Sequence, residues 1–289
     1  MADARQLPTR AATWATFAAL LVAIALVFLA TTAVVAGVAL ARSAERGALF
    51  SDEATRFAFS APGIMAAALV SSVVFVAVAL GTARLQTPDV RGRLRLGPTR
   101  ATATGFVATV LAMAGLSAAS GAAADLCGGR GHGTMDVIAR ALEHQTAGRL
   151  VAAILTVAVA PGIAEEIFFR GLIQTQLAAR WGPLPSILAS ATCFGLIHFD
   201  VVQGSVAFVS GLFLGWVVER FEGIRPSIAA HACNNAAFVL LASTGAGAAV
   251  SRAVAFEAGG VGLAVWAVGT AMVWSRFAIR SVESSSVVQ

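Results

Sequence analysis

Three groups of polar residues interrupt apolar stretches in the second half of the chain. The first is Glu165-Glu166 followed by Arg170, inside the apolar run from Val151 to Leu177. A charge near the centre of a bilayer costs roughly 2.5–3.5 kcal/mol on insertion scales, so these three charges need a reason. Glu166 and Arg170 are spaced i,i+4 and can pair along one helix face, whereas Glu165 lies about 100° around the helix. The spacing predicts a neutralised structural couple beside a separate functional carboxylate.

The second group ends in His198, which follows Phe194 by four residues. A turn rich in glycine and proline lies before it, at residues 181–185. An antiparallel hairpin folded about this turn places Glu165 and His198 at the same depth, with the carboxylate facing the imidazole. A general base must lie within hydrogen-bond reach of the proton it removes, directly or through one water. The sequence therefore predicts a water-activating pair.

The third group contains His231 and Asn235, which share a helix face at i,i+4 spacing. Both side chains can donate hydrogen bonds to a developing oxyanion. Each group taken alone also fits a structural role, as a buried ion network or as polar contacts between membrane helices. All three groups fall within residues 165–235, which favours one shared site.

One feature of the spacing opposes a shared site. Glu165 and His198 each lie about 14 residues, or about 21 Å of helix, from the turn between them. His231 lies only five residues after Pro226 and so begins closer to the same membrane face. Convergence requires strong helix tilt, a shorter sixth span or an inserted loop at Glu222-Gly223, and the sequence leaves these alternatives open.

The composition indicates which elements must position these residues. The chain has 289 residues, of which 58% are hydrophobic and 12% are charged, and the mean hydropathy is +0.81. These values exclude ordinary soluble, disordered and disulfide-rich classes. They predict an all-α, polytopic membrane helical bundle of about eight transmembrane helices, since open strands are not stable in lipid. The expected spans are 12–41, 60–83, 101–124, 148–177, 184–200, 203–221, 226–244 and 259–278.

The chain is expected to divide at residue 147. Residues 1–147 would contain three N-terminal transmembrane helices and their loops, and 148–289 would contain the polar core and the C-terminal span. All 20 basic residues are arginines, and apart from Arg170 they are scattered along the loops, which indicates membrane topology rather than nucleic-acid binding. Their distribution predicts that both termini are cytoplasmic.

The three groups resemble the motifs of the CAAX-protease and bacteriocin-processing family (CPBP, Abi/Rce1-type) of intramembrane endopeptidases. That family is marked by EExxxR, FxxxH and HxxxN/D on successive membrane helices, and the resemblance covers about residues 148–244. It implies an eight-helix fold and hydrolysis of a peptide bond in a membrane-associated protein or peptide. Carried over by position, Glu165 with His198 would activate the water, and His231 with Asn235 would hold the oxyanion.

The same resemblance gives Glu166, Arg170 and Phe194 supporting roles. The family has been described both as metalloproteases and as metal-independent glutamic proteases. If zinc is used, its ligands would be Glu165, His198 and His231. The sequence contains no HExxH spacing, so we favour the glutamic mechanism without a cofactor.

Two other functions remain compatible with the sequence. Intramembrane Glu, His and Arg also mark transporters and proton relays, and a catalytically silent scaffold or immunity member would keep the same family fold. For a protease, the expected partners are the lipid bilayer and a membrane-associated substrate, such as a lipidated C-terminus, a bacteriocin-like leader or a sorting signal. The expected location is a bacterial inner (cytoplasmic) membrane.

Overall fold

The computed structural model describes residues 10–129, 133–245 and 252–285, and within these ranges the chain is helical and has no strand. Two of the helical segments are π-helical, in which backbone hydrogen bonds span five residues instead of four. The first half of the chain contains α1 (Arg10–Arg46), α2 (Phe50–Ala58), α3 (Ala61–Gln86), α4 (Val90–Arg93), α5 (Ala103–Leu126) and α6 (Thr134–Leu142). The second half contains α7 (Ala147–Ala153), the first π segment (Ile154–Val159), α8 (Ala160–Glu165), the second π segment (Glu166–Gln174), α9 (Thr175–Trp181), α10 (Pro183–Leu196), α11 (Val201–Phe221), α12 (Arg225–Ser243) and α13 (Arg252–Ser285).

This architecture confirms the predicted helical membrane bundle. Each of the eight expected spans corresponds to a helix or, for 148–177, to the continuous run from α7 to α9. Among the described residues, six of these are long and apolar enough to cross a membrane. The other two are α10, whose 14 residues span about 21 Å, and α12, which carries the polar residues of the third group.

A sharp turn joins the two helices that carry the first two groups. α9 ends at Trp181, and Gly182 has a positive φ of 79°, a conformation that glycine adopts without a Cβ penalty. Pro183 then occupies the first position of α10, where its missing N–H leaves no hydrogen bond unmade. The short connection makes the two helices an antiparallel hairpin.

The depth of His231 is set by a loop that reaches the interior. Leu94 is fully buried, and a Cβ atom at Gly171 would lie 2.9 Å from the Leu94 carbonyl oxygen. The next carbonyl, that of Arg95, accepts a hydrogen bond from the N–H of Ile224. These contacts place Gly171 and Ile224 at the same depth in the helix bundle. Glu165 lies six residues before Gly171, and His231 lies seven residues after Ile224, so the two side chains meet despite their different distances from the turns.

A glycine brings α8 and α12 into direct contact. A Cβ atom at Gly162 would lie 2.8 Å from the backbone N and Cα of Ala232, closer than van der Waals contact permits. Gly162 lies one turn before the glutamates, and Ala232 is adjacent to His231. The absence of a side chain at Gly162 therefore lets the glutamate helix and the histidine helix approach closely.

We expect Gly162→Ala to lower stability by about 1–3 kcal/mol, because the added methyl group overpacks the α8–α12 contact. Gly148→Ala is the matched control, since Gly148 also lies in a helix and a Cβ atom there would meet nothing within 4 Å. Thermal unfolding of the purified variants in detergent is the measurement. Equal unfolding temperatures for the two variants would show that the close approach does not constrain the fold.

Candidate active site

A buried carboxylate lies at the centre of the polar cluster. The side chains of Glu166 and Arg170 are both fully buried, and Glu166 Oε1 accepts a hydrogen bond of 2.7 Å from Arg170 Nη1. The same oxygen lies 2.9 Å from Nδ1 of His231 on α12. The Glu166 carboxylate therefore joins the second π segment to α12 through one shared oxygen.

His231 lies between the two glutamates. Its Nδ1 faces Glu166, and its Nε2 lies 3.6 Å from Oε2 of Glu165. A carboxylate paired with arginine only accepts hydrogen bonds, so Nδ1 of His231 carries the proton that it donates to Glu166. This bond orients the imidazole and directs Nε2 toward Glu165.

The ring of Phe194 connects the charged groups to both histidines. The Arg170 guanidinium lies 4.5 Å from the centre of this ring, within the range of a cation–π interaction. The imidazoles of His198 and His231 meet the same ring edge-on, with centroid distances of 5.2 and 5.7 Å. Phe194 is itself buried on α10, so it is a fixed aromatic surface against which three polar side chains pack.

His198 lies just beyond the end of α10 and is oriented by a backbone contact. Its Nδ1 lies 2.8 Å from the carbonyl oxygen of Phe194. Because a carbonyl oxygen only accepts, Nδ1 is the donor, and in the neutral imidazole the lone pair lies on Nε2.

The connection after His198 is held at two points. Phe199 has a positive φ of 50°, a strained conformation for a residue with a side chain. Asp200 then caps α11 by accepting from the N–H of Gln203, and it also accepts from the N–H of Thr134 at the start of α6. These hydrogen bonds, from Gln203 first and then Thr134, lower the pKa of the Asp200 carboxyl below its ordinary value. The loop that follows His198 is thereby attached to α6.

Glu165 and His198 line the same cavity, which has a volume of about 170 Å³. In the described part of the chain, no hydrogen bond or ion pair joins the two side chains directly. One water occupies roughly 30 Å³ in the liquid, so the cavity has room for water between them. The remaining wall residues come from α1, α3 and the end of α10, namely Ile24, Val27, Phe28, Ser71, Phe75, Ile197 and Phe199.

Two residues of the predicted site, His231 and Asn235, do not line this cavity. Asn235 is half-buried one turn after His231 on α12, and it is not among the residues that line the cavity. The structure thus brings Glu165, Glu166, Arg170, Phe194, His198 and His231 together, and among the described residues Asn235 makes no hydrogen bond or ion pair with this group.

The side chains do not form a metal site. Within residues 10–129, 133–245 and 252–285, no three His, Cys, Asp or Glu side chains are arranged to hold a metal ion. The Nδ1 atoms of His198 and His231 already face a carbonyl and a carboxylate. Those contacts leave Nε2 of each imidazole available, and the observation against zinc binding is that Glu165, His198 and His231, the residues named as zinc ligands, are not arranged as a three-ligand group among the described residues.

Three residues that position the site were not identified from the sequence. Leu94 lies in an arginine-rich segment that we interpreted only as a topology signal, and a single leucine between arginines does not indicate burial. Gly162 carries no local signal, because its role depends on the helix that it meets. Asp200 directly precedes a helical run, which is typical of an N-cap, but nothing in the sequence indicates its contact with Thr134.

The fold is that of a helical membrane bundle, and a cluster of carboxylates, imidazoles and a guanidinium lies among its helices. Residues 147–237 match the family model described as type II CAAX prenyl endopeptidase Rce1-like. All three motifs lie inside this segment, and the match agrees with the family resemblance that the motifs predicted. At the level of the family, the match supports a CAAX-type intramembrane protease that acts on a peptide or protein.

The matched segment covers less than half of the chain. The search of curated proteins and the search of solved structures each gave no match. The proposed division of the chain at residue 147 stays a prediction, as do the cytoplasmic position of the termini and the bacterial inner membrane.

Proposed function

We propose that this protein is an intramembrane endopeptidase that hydrolyses a peptide bond in a membrane-associated protein or peptide, with Glu165 and His198 activating the water. The observation that carries the proposal is the shared cavity, in which a carboxylate and an imidazole border a space large enough for water and part of a peptide. The Rce1-like match supports the same reaction.

The two activating groups have complementary proton roles. The hydrogen bond from His198 Nδ1 to the Phe194 carbonyl leaves Nε2 as an acceptor, and an ionised Glu165 carboxylate is also an acceptor. One of these groups removes a proton from water while the oxygen of that water attacks the carbonyl carbon of the peptide. The proton then passes to the leaving amine as the C–N bond breaks, which restores the starting protonation.

His231 is proposed to support this step as a hydrogen-bond donor to the oxyanion. With Nδ1 donating to Glu166, Nε2 donates to an oxyanion only when the imidazole is fully protonated. Oxygens of Glu165 and Glu166 lie 3.6 and 2.9 Å from its two nitrogens. A protonated His231, with the Asn235 amide, is the proposed electrostatic support for the tetrahedral intermediate. Neither residue is part of the cavity lining, so this support requires the peptide carbonyl to reach beyond the cavity toward α12.

Glu166 and Arg170 have a positioning role in this scheme. Arg170 neutralises Glu166, and Glu166 holds the Nδ1 face of His231. Neither of them lines the cavity, so neither is expected to contact the substrate. A buried pair of this kind costs desolvation energy but becomes much more costly when one partner is lost.

We expect Glu165→Gln to abolish proteolysis while the protein stays folded, because the amide cannot accept a proton from water. Membrane proteomes of a deletion strain are compared after complementation with wild-type protein, Glu165→Gln or Glu257→Gln. Glu257 is an exposed residue of α13 and is the matched control. An uncleaved precursor should accumulate in the deletion strain and with Glu165→Gln, and not with the other two.

Two outcomes of that comparison would count against the proposal. Normal processing by Glu165→Gln would remove Glu165 as the base. If the deletion strain itself accumulates no precursor, and Glu165→Gln restores the growth phenotype of that strain as fully as wild-type protein does, the protein would instead be a catalytically silent member of the family.

We expect the activity to be independent of a bound metal, because the cluster offers no three-ligand group among the described residues. Cleavage of the accumulated precursor by purified protein is measured before and after incubation with EDTA or 1,10-phenanthroline, alongside metal analysis of the protein. The rates should agree within about twofold. Loss of activity with the chelators, and its recovery on addition of Zn²⁺ alone, would contradict the glutamic mechanism.

A further inference from the structure

The helices that precede the family-matched segment build most of the wall around the catalytic cavity. Five of its nine lining residues lie on α1 and α3, namely Ile24, Val27, Phe28, Ser71 and Phe75. The family match begins only at residue 147. The proposed catalytic groups and the surface that faces them therefore come from different parts of the chain.

Three of these wall residues form one face of α1. Ile24, Val27 and Phe28 are spaced i, i+3 and i+4, so their side chains lie on the same side of the helix. The ring of Phe28 meets the ring of Phe199 edge-on, with a centroid distance of 5.6 Å. Phe199 directly follows His198, so α1 is in contact with the segment that carries the proposed catalytic imidazole.

The chemistry of the cavity is apolar away from the two catalytic groups. Ser71 is the one other polar residue in the wall, and its hydroxyl already donates to the Ala68 carbonyl of its own helix. The wall therefore offers no charge or directed hydrogen bond that would recognise a polar substrate group.

The size of the cavity limits what it can hold. An engineered cavity of about 150 Å³ binds benzene, and the volume of this cavity is about 170 Å³. This volume matches one aliphatic or aromatic side chain.

We propose that this cavity is the subsite for a single apolar side chain of the peptide substrate, and that Ile24 and Val27 of α1 set the size of side chain it accepts. The inference rests on the proposed function, since Glu165 and His198 form the opposite wall. A side chain in the cavity lies next to both groups, so it belongs to a residue at or beside the scissile bond.

The first test changes the cavity size from the α1 side. Purified protein in nanodiscs is incubated with a mixture of apolar peptides that differ at one position, which is Gly, Ala, Val, Leu, Phe or Trp, and the products are identified by mass spectrometry. Val27→Phe should shift the preference toward Gly and Ala by at least tenfold, and Val27→Ala should shift it toward larger residues. Val22→Phe and Val22→Ala are matched controls on the same helix, because Val22 is half exposed and lies outside the wall.

The second test requires no hydrolysis. Peptides that carry photo-leucine at the varied position are irradiated with the Glu165→Gln protein, and the crosslinked residues are identified by mass spectrometry. Crosslinks at Ile24, Val27 or Ser71 are expected. Val27→Phe should reduce them several-fold, and Val22→Phe should leave them unchanged.

The two tests separate this proposal from the proposed function. Crosslinking at the cavity walls without hydrolysis by the wild-type protein would support the subsite and overturn the hydrolase. Hydrolysis with crosslinks elsewhere, or with the same size preference in Val27→Phe and wild-type protein, would overturn the subsite and leave the hydrolase standing.

Discussion

The ion pair between Glu166 and Arg170 is the interaction on which the arrangement of this site depends. Both side chains are fully buried, and the pair is joined to α12 through His231. Two opposite charges in a low-dielectric interior attract strongly, and this attraction offsets the hydration that each charge has lost. If one partner is removed or displaced, the other is left as an unpaired buried charge, which is strongly destabilising. Whatever displaces Glu166 also releases the Nδ1 contact that orients His231 toward Glu165.

The rest of the bundle supplies the geometry that this pair requires. Gly162 lets α8 and α12 approach closely. The Leu94–Arg95 backbone sets Gly171 and Ile224 at one level, which brings His231 to the depth of the glutamates. Phe194 then packs against Arg170 and both histidines. A polar cluster among apolar helices is thus held by backbone contacts and one aromatic ring in addition to its own ion pair and hydrogen bonds.

Much of this site could be predicted from residue spacing, because the relevant contacts are local or arise from a single turn. The i,i+4 spacing predicted the pairing of Glu166 with Arg170, and the glycine-proline turn predicted the hairpin that brings Glu165 and His198 to one cavity. The contact of His231 with both glutamates was not predictable. It depends on a loop from another part of the chain, whose Leu94 stands between two arginines in the sequence but is buried in the hydrophobic core. The π-helical segments and the α1 wall of the cavity also carry no local sequence pattern.

A double-mutant cycle on the buried pair tests the central claim most directly. The free energy of unfolding in mixed micelles is measured for wild-type protein, Glu166→Gln, Arg170→Met and the double variant. We expect each single substitution to cost about 3–5 kcal/mol, and the double variant to cost at least about 2 kcal/mol less than their sum, because it leaves no unpaired buried charge. Losses that add within about 0.5 kcal/mol would show that the two residues act independently, and would contradict the dependence of the site on their pairing.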